Sequence, residues 1–145
     1  MLQLSVVSPE RKVLESQCRQ ITVPTKMGLI TILPSHAPLF SILSMGEVEI
    51  RDENGKSNFL LVSGGFVSVH QNQVTLLTDF GIRDDELDEK LIMEAKQRAE
   101  QEMKDKTSPQ ELEKARADFL HVSMQMEFLK RRKHLHAPRT NPDQE

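Results

Sequence analysis

Short apolar runs separated by turn-forming residues characterise the first 80 residues of the chain. The runs 47–51 and 58–62 flank Asn54-Gly55, the pair best suited to the positive φ angles of a tight hairpin turn. The runs 66–70 and 74–78 predict a second hairpin, with the three polar residues between them as its loop. This pattern predicts nine or ten short strands, folded as two packed sheets with their apolar faces inward.

Residues 27–46 contain no Asp, Glu, Lys or Arg and approach the ~20 residues that a membrane-spanning helix needs. Pro34 and Pro38 would break such a helix at its middle, and His36 lies between them. We therefore predict two buried strands joined by a rigid loop. A loop with few conformations to lose is suited to a preformed contact surface, although it could equally just turn a corner of the sandwich.

The pattern changes after residue 84, where apolar residues begin to recur at helical spacing. Asp84 and Asp85 offer N-cap oxygens, so a first helix is predicted to begin near residue 85. Its apolar positions are Leu87, Leu91, Ile92, Ala95, Ala99 and Met103.

A second helix is predicted to begin at Ser108-Pro109, because Ser108 and Glu111 form a capping box and proline favours the first helical position. Its apolar residues recur every three or four positions and form a seam of the kind that packs helix on helix. The seam consists of Leu112, Ala115, Phe119, Val122, Met126 and Leu129. The sequence thus predicts a β-sandwich domain at 1–84, an antiparallel helical hairpin at 85–136 and a flexible tail at 137–145.

The predicted hairpin has little apolar area to hold it together, since one of its two stripes is largely alanine. It therefore needs a third surface. The hairpin could be permanently docked, or it could contact the β-module in one state and another protein in a second state.

Charge is unevenly distributed, because 26 charged residues lie in 85–145 and only 15 in 1–84. The formal net charge of -3 argues against nucleic acid as a partner, since binding to phosphate backbones depends on massed Lys and Arg. The single cysteine, Cys18, cannot form an internal disulfide, and the first residues lack the pattern of a signal peptide. We expect the reducing, cytoplasmic side of a membrane.

Motifs for catalysis are absent: there is no phosphate-binding loop, no H-E-x-x-H and no G-x-S-x-G. Ser63-Gly64-Gly65 is interpreted as a bend between strands and not as a nucleophile turn. Cys18, beside Arg19, is interpreted as a core residue and not as a reactive thiol. His121, His134 and His136 could bind a metal adventitiously but lack fixed geometry. No catalytic residue, cofactor or metal is therefore expected.

Several motifs in order give the chain a resemblance to the epsilon subunits of F-type ATP synthases over nearly its whole length. The matching residues are 6–10, Val23-Pro24 with Gly28, 32–39, Met45-Gly46, 62–66 and 74–79, followed by 87–89 and 94–96 in the first predicted helix. The resemblance implies a ten-stranded β-sandwich followed by two helices.

The resemblance also implies a non-catalytic subunit of the central rotor, whose sandwich binds the gamma subunit and rests on the ring of c subunits. It places the chain on the cytoplasmic face of a bacterial inner membrane, in contact with the membrane only through the complex. The residues that match the family's contact loops are Met27, Gly28, Leu29, Ser35, His36 and Pro38. Thr31 and Ser35 stand where the family often has glycine.

In bacterial members of this family the hairpin can extend into the catalytic hexamer, where its cations meet acidic loops of the beta subunits and ATP hydrolysis is inhibited. The cations available here are Lys114, Arg116, Lys130, Arg131, Arg132 and Lys133. The alternative is that they simply solvate the helix and cap its end. Some members bind ATP through a motif whose arginine is replaced here by Leu91, so we expect little or no ATP binding.

A second function, from another class, is a free β-sandwich binding module with a hairpin for homo-oligomerisation. Its self-association surface would be the second half of the seam, from Phe119 to Leu129.

Overall fold

The computed structural model describes residues 1–105 and 108–136. The chain divides into two compact units, Met1–Glu86 and a second unit that begins at Leu87. The predicted tail, 137–145, lies outside the described residues.

The first unit consists of ten strands in two five-stranded sheets. The strands are β1 (Leu2–Val7), β2 (Lys12–Cys18), β3 (Gln20–Thr25), β4 (Gly28–Ile32), β5 (Leu39–Ile42), β6 (Gly46–Arg51), β7 (Ser57–Val62), β8 (Phe66–His70), β9 (Gln73–Leu77) and β10 (Gly81–Arg83). Their order is β2-β1-β9-β8-β5 in one sheet and β10-β7-β6-β3-β4 in the other. All pairs are antiparallel except β1 with β9. The predicted sandwich is confirmed.

Alternation along the strands builds one core between the sheets. In β1, Leu2, Leu4 and Val6 are buried while the residues between them are more exposed. Cys18 is fully buried in this core, and burial raises the pKa of its thiol. The interpretation of Cys18 as a core residue is confirmed.

The tight hairpin turn is not where the sequence predicts it. The loop between β6 and β7 has five residues, and only Gly55 has a positive φ, of 80°. Asp52 organises this loop, because its carboxylate accepts the N–H groups of Asn54 and Lys56. The two-residue turn lies instead between β8 and β9, where Gln71 and Asn72 have φ of 48° and 63°.

The charge-free segment 27–46 forms strands, as predicted, but the expectation that both are buried is wrong. β4 and β5 are edge strands of opposite sheets. Within them only Ile32 is fully buried, because an edge strand has sheet on one side only. Apolar side chains of this segment therefore face outward.

The first helix begins later than predicted. Asp84–Glu86 form a 3₁₀ turn, and α1 follows at Glu89–Asp105. Its N-cap is Asp88, whose carboxylate accepts the Lys90 N–H at 3.0 Å. The second helix, α2 (Pro109–His136), begins as predicted, since Ser108 Oγ accepts the Glu111 N–H at 3.1 Å.

The two helices pack against each other through part of the predicted seam. Met126 and Leu129 of α2 form a buried cluster with Ile92 of α1, and Leu87 and Val122 pack against it. Leu91 departs from the predicted stripe, because it is 60% exposed. Neither helix, over the described ranges, combines the length and apolarity that crossing a bilayer requires.

Candidate functional site: exposed apolar side chains on the edge strands

The turn between β3 and β4 presents two large apolar side chains to solvent. Met27 is 89% exposed and Leu29 74% exposed. The turn is held by Thr25, whose hydroxyl donates to the Gly28 carbonyl at 2.6 Å and accepts the Met27 N–H at 3.2 Å. Gly28 has a φ of 109°, which a residue with a Cβ rarely adopts. The hydrogen bonds of Thr25 and the conformation of Gly28 thus hold these two side chains outside the core.

The loop between β4 and β5 contains the other predicted contact residues. Ser35 has a φ of 66°, and its N–H donates to the Asn72 Oδ1 at 2.6 Å. The His36 N–H donates to the Leu33 carbonyl at 3.1 Å, which closes the turn. Ser35 and Pro38 are exposed and His36 is half-buried. The structure thus fixes this loop at the surface of the sandwich.

A further group of exposed apolar residues lies across β5, β8 and β9 and was not singled out from the sequence. Phe40 is 69% exposed and stacks on Phe66, with the ring centroids 5.3 Å apart. Phe66 pairs across the strands with Ile42 on one side and Leu77 on the other. All four side chains are exposed. The available signal was alternation, since positions 40 and 42 share the face of β5 that points away from the core.

We use the name edge-strand surface for the exposed apolar residues of the two sheet edges and their neighbours. They are Met27, Leu29, Leu33, Phe40, Ile42, Phe66 and Leu77. Five of the seven fall in segment 27–46, which contains no Asp, Glu, Lys or Arg. Most of this surface therefore comes from a part of the chain without charged side chains. Clustered exposed apolar side chains mark interaction sites on soluble proteins.

The position of Phe66 depends on the bend that precedes it. Gly64 and Gly65 have φ of 71° and 106°, and a Cβ on Gly65 would lie 1.8 Å from the Leu77 carbonyl oxygen. Only glycine fits this close approach of β8 to β9. The interpretation of Ser63-Gly64-Gly65 as a bend between strands is therefore confirmed.

The cations predicted to act in the hairpin do not share one environment. Lys114, Arg116, Lys130 and Arg131 are exposed on α2. Arg132 departs from this set, because it is only 7% exposed and its guanidinium carbon lies 5.5 Å from the centre of the Phe128 ring. The side chain of Lys133 lies outside the described residues.

An ion-pair cluster holds the end of the sandwich unit. Glu86 accepts two hydrogen bonds from the Arg11 guanidinium, both at 2.6 Å, and one from the Arg83 N–H at 3.1 Å. The Arg11 hydrogen bonds, with the charges of Arg11 and Arg83, lower the pKa of Glu86 to about 2. The 3₁₀ turn is thereby joined to the residue that precedes β2 and to β10, whereas the sequence pattern predicts Asp84 and Asp85 as helix caps.

The described parts of the chain contain no cluster of metal-ligating side chains. Across 1–105 and 108–136, no three His, Cys, Asp or Glu side chains are grouped so that they could hold a metal ion. A groove of about 340 Å³ in the hairpin is lined by polar and apolar side chains of both helices, including Glu89, Met93, Met126 and Lys130. Lys96 also lines this groove, whereas Leu91 does not.

Comparison with known proteins connects this geometry to a family. The model of the ATP synthase delta/epsilon chain β-sandwich domain matches residues 1–84. The ATP synthase epsilon chain of Alkalilimnicola ehrlichii is 35% identical over 130 residues, which cover 90% of this chain and 93% of the relative. That of Herpetosiphon aurantiacus is 36% identical over 132 residues, covering 91% and 96%.

Solved structures show the same fold at lower identity. A chain of the Euglena gracilis mitochondrial ATP synthase OSCP/F1/c-ring structure superposes with a TM-score of 0.62 at 21% identity, covering 93% of this chain and 81% of that one. A chain of the Tetrahymena thermophila ATP synthase central stalk/c-ring structure gives 0.56 at 18% identity, covering 88% and 96%. With its sandwich, its two helices and its relatives aligned over nine-tenths of their length, the chain belongs to the ATP synthase epsilon chain family.

Proposed function

We propose that the chain is a non-catalytic subunit of the central rotor of an F-type ATP synthase, peripheral on the cytoplasmic face of a bacterial inner membrane. Its sandwich links the gamma subunit to the c-ring and so couples ion translocation to ATP synthesis. Its helical hairpin inhibits ATP hydrolysis when it extends toward the acidic loops of the beta subunits. The two roles belong to different units of the chain and are tested separately.

The edge-strand surface is the observation that carries the docking role. Exposure of a side chain such as Phe40 to water does not stabilise the fold. Complete burial of this side chain by a partner would contribute about 1.5–3 kcal/mol to binding. The surface includes the predicted contact residues Met27 and Leu29 and two aromatic residues, of a kind that anchors protein interfaces. It also carries no charge of its own in segment 27–46, so covering it costs little desolvation.

Substitution of Phe40 by serine tests the docking role. Since Phe40 is largely exposed, the variant is expected to fold with little change in stability but to bind a gamma–c-ring subcomplex at least tenfold more weakly. The matched control is Leu120→Ser, which removes an apolar side chain of similar exposure from α2. Equal affinity of the Phe40 variant and the wild-type chain, measured by sedimentation or biolayer interferometry, would remove this surface from the interface.

The hairpin supports the inhibitory role through what it leaves exposed. Val122, Met126 and Leu129 of its apolar seam pack against α1, whereas Lys114, Arg116 and Lys130 are exposed on α2, where acidic groups of a partner can reach them. Arg116 and Lys130 are two heptads apart on one side of α2, about 21 Å along its axis. Cations spaced in this way can engage more than one acidic loop, and such contacts weaken as salt is added.

Truncation separates inhibition from coupling. The chain should be ended after Glu86 and not after Asp84, because removal of Glu86 would also take away the partner of Arg11. We expect the truncated subunit to assemble and to support synthesis, while ATP hydrolysis by the reconstituted complex rises. Unchanged hydrolysis under all nucleotide conditions would contradict inhibition and leave the coupling role intact.

Charge substitution then tests the cations themselves. The variant Lys114→Gln/Arg116→Gln/Lys130→Gln is expected to relieve inhibition, since the proposed contacts with the beta subunits are electrostatic. The variant Lys90→Gln/Arg98→Gln/Lys104→Gln removes the same number and types of charge from exposed positions of α1 and is expected to retain inhibition. Equal hydrolysis rates in the two variants would show that net charge, and not these positions, matters.

Homo-oligomerisation through the seam receives no support from the hairpin. Met126 and Leu129, which that alternative requires at a self-association surface, are buried against Ile92 within the same chain. A stable homodimer in sedimentation of the isolated chain would revive it.

A further inference from the structure

We propose that Asn72 is a positioning residue for the 35–38 loop. Its side chain holds Ser35 in a left-handed backbone conformation, and this sets the direction in which His36 and Pro38 face a partner. The inference rests on the proposed function in one respect: the 35–38 loop is taken as part of the contact with the gamma subunit and the c-ring.

Ser35 adopts a conformation that its side chain disfavours. Its φ is 66°, in the region where a Cβ approaches the following carbonyl oxygen and where glycine is the usual residue. A serine at this position therefore needs a compensating interaction, or the loop will leave this conformation for part of the time.

Asn72 supplies that interaction from a rigid support. The Ser35 N–H donates to its Oδ1 at 2.6 Å, across 37 residues of chain. Asn72 is the second residue of the β8–β9 turn, and its own carbonyl accepts the Gln3 N–H from β1 at 2.8 Å. Asparagine tolerates the φ of 63° that this turn requires. The acceptor is thus fixed by two strands of the sandwich before it meets the loop.

The conformation of Ser35 sets the path of the residues that follow it. After Ser35, the His36 N–H donates to the Leu33 carbonyl and the His36 Nδ1 lies 2.6 Å from the Ala37 carbonyl oxygen. Both contacts depend on the chain reversing at Ser35. With the Asn72 contact intact, the loop meets its partner already ordered, and little conformational freedom is lost on binding.

Two substitutions at position 72 separate the acceptor from the turn. Asn72→Gly retains the positive φ but has no side-chain acceptor, whereas Asn72→Asp retains both. In the full-length chain we expect Asn72→Gly to exchange the Ser35 amide hydrogen about five- to tenfold faster than wild type, the effect of losing one hydrogen bond. The Gln3 amide, which donates to the backbone of residue 72, is the internal control and should not change.

Rescue and binding complete the test. Asn72→Gly is expected to weaken binding to a gamma–c-ring subcomplex severalfold, and addition of Ser35→Gly should recover much of the affinity, because glycine adopts this φ without help. Unchanged Ser35 exchange or unchanged affinity in Asn72→Gly would overturn the positioning role, as would a failed rescue. Failure of the wild-type chain to bind the subcomplex would instead contradict the proposed function.

Discussion

Glu86 lies at the end of the sandwich, two residues before the N-cap of α1. Its substitution therefore measures how much its ion pairs stabilise this end of the sandwich. Glu86→Gln keeps the length of the side chain and an oxygen that can still accept the Arg83 N–H. It removes the charge that pairs with Arg11 and with the Arg83 guanidinium, at 2.6 and 3.2 Å. The change therefore isolates the ionic part of the cluster.

The expected magnitude follows from the pKa of Glu86. A decrease from 4.5 to about 2 corresponds to an upper limit of about 3.4 kcal/mol at neutral pH. The side chain of Glu86 is 20% exposed but that of Arg11 is 45% exposed, so water screens much of the interaction. We expect Glu86→Gln to lower the free energy of unfolding of the sandwich by about 1–2 kcal/mol at pH 7.

The contribution of Glu86 to stability depends on pH. Because the pKa of Glu86 is lower in the folded chain than in the unfolded chain, its charge stabilises the fold fully above pH 4.5. That stabilisation is lost as the pH falls from about 4.5 to about 2. The difference between the wild type and Glu86→Gln should therefore shrink over this range and disappear at its lower end.

Urea unfolding at pH 7 and at pH 3 measures both effects. The chain has no Trp or Tyr, so strand amide signals in NMR spectra are a better probe than fluorescence. Glu15→Gln is the matched control, since Glu15 pairs with Lys12 at 2.7 Å but both side chains are about three-fifths exposed. That variant should cost less than about 0.5 kcal/mol. Equal costs for the two variants, or a Glu86 effect undiminished at pH 3, would refute the reasoning.

Three further predictions concern the bend, the hairpin and the nucleotide. Gly65→Ala should destabilise the sandwich by about 3 kcal/mol or more, because the added Cβ would overlap the Leu77 carbonyl oxygen. The control is Gly55→Ala, which places a Cβ in open space at a φ of 80° and should cost about 1 kcal/mol in the same urea assay. Ser108→Ala should cost α2 about 1 kcal/mol through loss of its N-cap, seen as faster amide exchange in the first turn while the strands stay protected. Millimolar ATP should leave the melting temperature of the isolated chain unchanged, since Leu91 replaces the arginine of the motif, and a clear rise would show a nucleotide site.

Local chemistry made some elements predictable from the sequence. The second helix begins at Ser108 because its hydroxyl and the following proline satisfy a requirement of helix starts wherever the helix lies in the fold. The strand pattern was equally readable, since alternation in a segment such as Leu2–Val7 reflects one face on a core.

Competition between local signals explains the misplaced turn and the late helix start. Asn54-Gly55 favours a two-residue turn, but the Asp52 carboxylate captures two N–H groups and stabilises a longer loop. Asp84 and Asp85 have side chains suited to an N-cap, but Glu86 forms an ion pair with Arg11, 75 residues away, and the 3₁₀ turn is held against the sandwich. The N-cap of α1 is therefore Asp88. Long-range partners of this kind are invisible in local sequence.

The edge-strand surface shows a different limit. An apolar run predicts burial, and the sequence does not state whether the burial is within the chain or against a partner. Phe40 and Phe66 are far apart in sequence, and only the pairing of β5 with β8 brings their rings together. The prediction of contact residues in 27–38 came from resemblance, whereas this aromatic pair was visible only in the fold.

The parallel pairing of β1 with β9 has a consequence for biosynthesis. Leu4 lies opposite Val74, so the first strand of the chain completes its sheet only after the ninth has been made. Pairing β1 with β9 closes a loop of about 70 residues, which costs more chain entropy than closing a local hairpin. This pairing therefore forms later than the hairpins. On the ribosome, β1 therefore has only β2 as a pairing partner until β9, which ends at Leu77, has been synthesised.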